Sequence, residues 1–117
     1  MMPMLDDRRI DLVSETDAHG TRRFVTLVVA RDGTLTLEGQ DLGGGLAGFF
    51  GGQASEYEWL WKLTPEQAGR LLRSLGIPDA APDRVEQLVS HLRSLSTATM
   101  QEQFKASGAT FSSHVSD

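Results

Sequence analysis

The sequence predicts an α+β domain: a four-stranded antiparallel meander, with a C-terminal segment able to add a fifth strand, packed on one face by two or three helices. Three observations predict it. Period-two alternation of apolar and polar residues dominates up to Leu63. An Asp32-Gly33 pair flanked by two such runs marks a hairpin. At Thr64-Pro65 the period changes to that of amphipathic helices. Strands followed by helices, rather than alternating with them, belong to the segregated α+β class.

The elements follow in order. Arg9 to Ser14 alternates loosely and reads as a first strand, and Thr16 to Thr21 as a polar turn. Phe24 to Ala30 is a valine-rich apolar run, short and apolar on both faces, which suits an interior strand. Asp32-Gly33 suits the positive φ angles of a type I′ turn. Thr34 to Gly39 then alternates cleanly, with Leu35 and Leu37 inward and Thr34, Thr36 and Glu38 outward. A glycine-rich loop covers 43–53. In the fourth strand, Glu56 to Leu63, Tyr57, Trp59, Trp61 and Leu63 share one face, and Glu56, Glu58 and Lys62 the other.

Thr64 can cap the first helix, Pro65 suits its first position, and Gln67 can close a capping box. Ala68, Leu71, Leu72 and Leu75 form its buried stripe before Gly76 and Pro78 stop it. Pro82 to Glu86 opens a second helix with Asp83 as cap and Val85, Leu88, Val89, Leu92 and Leu95 as core face. Thr97 to Ala106 suits a third, weaker helix with Met100 and Phe104 on one side and Gly108 as its stop. Ala109 to Val115 is the candidate last strand, with Phe111 pointing inward. The helices are expected to cover the tryptophan-bearing sheet face.

Length and composition bound the rest. With 117 residues, 39% hydrophobic and 23% charged, the chain suits one ordered domain, 1–117, with residues 1–7 expected to be flexible. It has no cysteine, which excludes disulfides, thiolate metal sites and cysteine nucleophiles, and fits a cytoplasmic location. The N-terminus lacks the basic-then-apolar order of a secretory signal, and no run approaches the ~20 apolar residues of a membrane span. Net charge is −5. Residues 1–63 hold ten acidic and six basic side chains, and 64–117 hold six and five, so the acidity lies in the first half. Such a surface repels phosphate backbones, and Arg8-Arg9 and Arg22-Arg23 read as solvated pairs, so neither nucleic acid nor membrane is an expected partner. Nine arginines against two lysines point to a GC-rich bacterial coding sequence.

Thr34-Leu35-Thr36-Leu37-Glu38-Gly39-Gln40-Asp41-Leu42-Gly43, a glycine-containing loop and Glu56-Tyr57-Glu58-Trp59 together resemble a pattern in small uncharacterised bacterial proteins of actinobacterial type. The resemblance covers roughly residues 8–115 and implies the same order of strands then helices. It brings no established activity and no catalytic residues.

Each candidate site has a plain structural alternative. Gly43, Gly45 and Gly48 match a dinucleotide-type glycine spacing, but a strand rather than a helix is expected after them, so no nucleotide cofactor is assigned. Leu46, Phe49 and Phe50 in that loop either plug the core or meet a partner. Glu38, Asp41, Glu56 and Glu58 can form a carboxylate cluster on the solvated sheet face, which is either plain acidic surface or a dock for a basic partner. Tyr57, Trp59 and Trp61 are expected in the core. His19, His91 and His114 show no metal-ligand spacing, and Ser14, Ser55 and Ser90 lack a nucleophile-elbow context, so no metal and no catalytic residue is assigned.

The resulting expectation is a non-enzymatic protein-interaction module. Its contact surface comprises Glu38, Asp41, Glu56, Glu58, Leu46, Phe49 and Phe50, and an immunity or antitoxin-like protein is one concrete form. The alternatives are a small enzyme or ligand-binding domain using Glu38, Asp41, Glu56 and His114, and a homodimeric structural protein associating through a strand edge or the glycine loop.

Overall fold

A computed structural model describes residues 7–43, 46 and 55–116. Five strands, β1 (Arg8–Thr16), β2 (Thr21–Val29), β3 (Leu35–Gly43), β4 (Glu56–Leu63) and β5 (Thr110–Ser116), form one antiparallel sheet in sequence order. Three helices, α1 (Pro65–Ser74), α2 (Arg84–Arg93) and α3 (Thr97–Ala106), lie between β4 and β5 in sequence. The α+β class is therefore as the sequence predicts, and the C-terminal segment does add a fifth strand. Phe49, Phe50 and most of the glycine-rich loop lie outside the described residues, as does nearly all of the expected flexible stretch 1–7.

Both N-terminal hairpins turn in the same way, and neither uses a type I′ turn. At β2–β3 the Gly33 N–H donates to the Ala30 carbonyl at 3.0 Å, and the Ala30 N–H donates to Thr34 at 2.9 Å. A type I′ turn needs positive φ at two central residues, but among the described residues only glycines have it, here Gly33 at +96°. The loop is thus three residues, Arg31, Asp32 and Gly33, with glycine in the left-handed position. At β1–β2, Gly20 (φ +81°) donates to Asp17 and Asp17 donates to Thr21. In each turn an aspartate carboxylate accepts main-chain N–H groups: Asp17 from His19 and Thr21, Asp32 from Thr34.

The β2–β3 ladder runs from Val29 and Leu35 out to Thr21 and Gly43, so both strands are longer than the apolar runs suggest. Polar residues at the far end pair as regularly as the valines near the turn. β1 is irregular: the register shifts between Asp11 and Val13, leaving Leu12 in a bulge.

The helices cover the sheet face that carries Val25, Leu27, Leu35, Leu37, Trp59 and Leu63, all buried. Leu71 of α1, Leu88 and Leu92 of α2, and Met100 and Phe104 of α3 complete that core. The capping box of α1 is present: the Thr64 hydroxyl accepts the Gln67 N–H, and the Gln67 side-chain oxygen accepts the Thr64 N–H. Gly76 (φ +74°) ends the helix, with the Ile77 N–H reaching back to the Leu72 carbonyl. Asp83 stands at the N-cap of α2, but its carboxylate accepts no main-chain N–H there and takes the side-chain amide of Gln87 instead. Phe111, expected inward, lies on the helix side of the sheet and contacts Trp61 at 4.5 Å between ring centroids. It is nonetheless 44% exposed, because β5 is the sheet edge and the helical layer does not cover it.

Candidate functional site

Strand pairing decides which candidate residues meet. Side chains two apart share a face, so Glu38 and Gln40 of β3 point away from the core that holds Leu35 and Leu37. Glu58 and Leu60 of β4, Phe24 and Thr26 of β2, and Ser112 and His114 of β5 share that open face, which no described element covers. A hollow of about 410 Å³ opens on it, lined by Arg9, Phe24, Glu38, Glu58, Leu60 and His114 among others.

The expected carboxylate cluster is only partly assembled. Glu38 is neutralised by Arg9, whose Nη2 donates to it at 2.6 Å. Glu56 accepts the Gln40 side-chain amide at 2.8 Å. Glu58 is exposed and stands opposite His114 in the β4–β5 register. Asp41 is not on this face. It lies four residues beyond Leu37, hence on the helix side, where it is 6% exposed. Its carboxylate takes two bonds from the facing Arg23, Nε at 2.9 Å and Nη2 at 3.3 Å. That pairing keeps the Arg23 guanidinium charged, raising its pKa through the hydrogen bond and the nearby negative charge.

Asp41 and Arg23 line a second hollow of about 440 Å³ at the helix side of the sheet, with Asp17, His19, Tyr57 and Gln101. Leu46 of the glycine-rich loop lines it too and is buried, 5% exposed. Several polar groups here are engaged internally. Asp17 holds its turn, with a pKa lowered chiefly by the main-chain N–H groups of His19 and Thr21. Gln101 accepts the Trp61 indole N–H at 2.8 Å. Among the described residues no buried side-chain nitrogen or oxygen lacks a partner.

The histidines are dispersed. His19 sits in the first turn and His114 on the edge strand, while His91 meets Gln103 at 3.1 Å between α2 and α3. Among the described residues no three or more His, Asp or Glu are placed to hold a metal ion. No described helix is long and apolar enough to cross a membrane.

The Arg23–Asp41 pair follows from the three-residue loop; the two-residue turn expected at Asp32-Gly33 would have set Asp41 against Phe24. Counting outward from the hairpin, position pairs equidistant from Asp32 face each other, and Arg23 and Asp41 are nine residues either side of it. Opposite charges at such mirrored positions are a cross-strand signal. No family model matches the chain, and neither a curated protein nor a solved structure matches it.

Proposed function

We propose that the chain is a non-enzymatic protein-interaction module whose contact surface is the open face of the sheet. One observation carries this reading. This face, which no described element covers, holds Phe24, Val28, Leu42 and Leu60, partly exposed apolar side chains, interspersed with the Arg9–Glu38 pair, Gln40, Glu58 and Lys62. Apolar side chains mixed with polar and charged ones on an uncovered face match the composition of a non-obligate protein interface.

The charges on this face shape the partner. With Glu38 held by Arg9 and Asp41 on the other side, Glu56 and Glu58 are the carboxylates left to meet a basic surface. An antitoxin-like role would rest on those two, so a partner of mixed polarity fits better than a strongly cationic one such as a nucleic-acid-binding surface. The set needed for a small enzyme, the carboxylates Glu38, Asp41 and Glu56 with His114, is divided between the two faces. That division favours binding over catalysis.

The test is affinity capture from a bacterial lysate at moderate salt, comparing the native chain with Glu58→Lys/Leu60→Lys on the open face and Phe49→Ser/Phe50→Ser in the loop. Thermal unfolding first establishes that each variant folds. A partner lost by the face variant and kept by the loop variant supports the reading. A partner that the face variant retains at full affinity overturns it.

A further inference from the structure

The two edges of the sheet are built differently. β1 is defended against pairing with another chain: it carries Arg8, Arg9, Asp11 and Glu15, it bulges at Leu12, and Arg93 of α2 donates to the Asp11 carbonyl at 2.8 Å. Charges, bulges and covered carbonyls are the usual protections of an edge strand. Among the described residues, β5 has none of them. Its residues, Thr110 to Ser116, include no Lys, Arg, Asp, Glu or Pro, and its pairing with β4 is regular throughout. It also bears Phe111 and Val115, 44% and 39% exposed, the exposed large hydrophobic side chains among the described residues.

The direction of the free backbone groups follows from the ladder. The Gly43 N–H donates to the Ser55 carbonyl, so the odd-numbered residues of β4 turn their N–H and C=O groups toward β3. Its even-numbered residues therefore turn theirs toward β5 and meet Thr110, Ser112, His114 and Ser116. The Ser116 carbonyl faces β4 as this phase requires, accepting the N–H of Ser55 just ahead of that strand. Phe111, Ser113 and Val115 are thus the residues whose backbone groups face outward, and their side chains share the helix side of the sheet.

We infer that β5 pairs antiparallel with β5 of a second copy of this chain, about a two-fold axis at Ser113. Ser113 is the midpoint of the strand and one of its outward-facing residues. Centring the axis there places Ser113 against its own copy and Phe111 against Val115 on either side, each pair exchanging both backbone hydrogen bonds. The same operation lays each exposed apolar side chain on the other. A two-fold interface must be self-complementary, and this edge is. A foreign strand would have to bring its own apolar pair in the same register, whereas a second copy carries it. No charge lies on β5 to oppose the pairing; the net −5 of each copy opposes it only at longer range. The pairing lies in the plane of the sheet, so it leaves the open face free and is independent of the function proposed for that face.

Sedimentation of the full chain from about 5 to about 500 μM tests the inference, since self-association is concentration-dependent. The mass should rise toward that of a dimer, and added salt should tighten the association by screening the net charge. Val115→Lys should raise the dissociation constant at least about tenfold, because lysine on a bare edge strand blocks pairing. Ser113→Cys, in a chain with no other cysteine, should cross-link to its copy on mild oxidation, since directly paired residues about 5.5 Å apart at Cα suit a disulfide. The same cysteine in the Val115→Lys background should not. A monomer at every concentration, a dimer indifferent to Val115→Lys, or equal cross-linking in both backgrounds overturns the inference.

Discussion

The indole of Trp59 fills the space over Gly39, its direct partner on the neighbouring strand. A Cβ placed on Gly39 would stand 1.9 Å from Cε2 and 2.0 Å from Cζ2 of that ring. Glycine at the centre of β3 is therefore a seat for tryptophan, and its lack of a side chain is what lets Trp59 lie within the core.

Gly39→Ala should accordingly destabilise the fold by about 1–3 kcal/mol, the range for overpacking a filled site. Urea unfolding followed by tryptophan fluorescence measures it. Replacing Trp59 with leucine in the same chain should relieve part of the cost, and equal effects of Gly39→Ala in both backgrounds would show that the ring is not the obstacle.

Two cross-strand ion pairs of the same chemistry differ in burial, and their removal should differ in cost. Asp41→Asn weakens a two-pronged contact with a 6%-exposed carboxylate and should cost about 2 kcal/mol. Glu38→Gln releases Arg9 at the surface, where the arginine side chain is 61% exposed, and should cost about 0–1 kcal/mol. Chemical denaturation of both variants checks the order; a larger loss for Glu38→Gln would contradict it.

Gln67 links the first helix to the last strand. Its side-chain oxygen closes the capping box, while its Nε2 donates to the Gly108 carbonyl at 2.9 Å, just ahead of β5. Gln67→Glu keeps an acceptor for the box and removes the donor, so it should cost about 0.5–1.5 kcal/mol and loosen the start of β5. Amide hydrogen exchange should quicken at Thr110 and Ser112, whose N–H groups face β4, and stay unchanged at the α1 cap.

The turn aspartates set an acid limit. Main-chain N–H groups hold Asp17 and Asp32 below their ordinary value of 3.8, so each carboxylate is more acidic folded than unfolded. A depressed folded pKa stabilises above the unfolded value and ceases to do so as pH falls through the folded one. Carboxyl NMR titration should give midpoints below 3.8 for both, with the amides of His19, Thr21 and Thr34 shifting in step. Midpoints at or above 3.8 would mean the turn bonds are absent in solution.

Much of the architecture was legible because it is local. Leu35 and Leu37 alternate with Thr34, Thr36 and Glu38, Thr64 and Gln67 sit at capping distance, and Gly76 and Gly108 stop helices where the apolar stripes end. The same alternation, carried past Gly39, puts Asp41 on the inner face. Grouping it with Glu38 followed charge instead of parity. The hairpin's place was legible from Asp32-Gly33, but its type was not, because Asp-Gly serves both two- and three-residue loops and the register of Ala30 with Thr34 selects between them.

The sequence by itself determined the elements, their order and the core face, because these depend on neighbours within a few positions along the chain. Only the tertiary structure decided that Glu38 is neutralised by Arg9, that Arg23 holds Asp41, and that Phe111 and Val115 remain exposed. Each depends on which strand lies alongside and how far the helices reach, relations set by long-range register that no local pattern encodes.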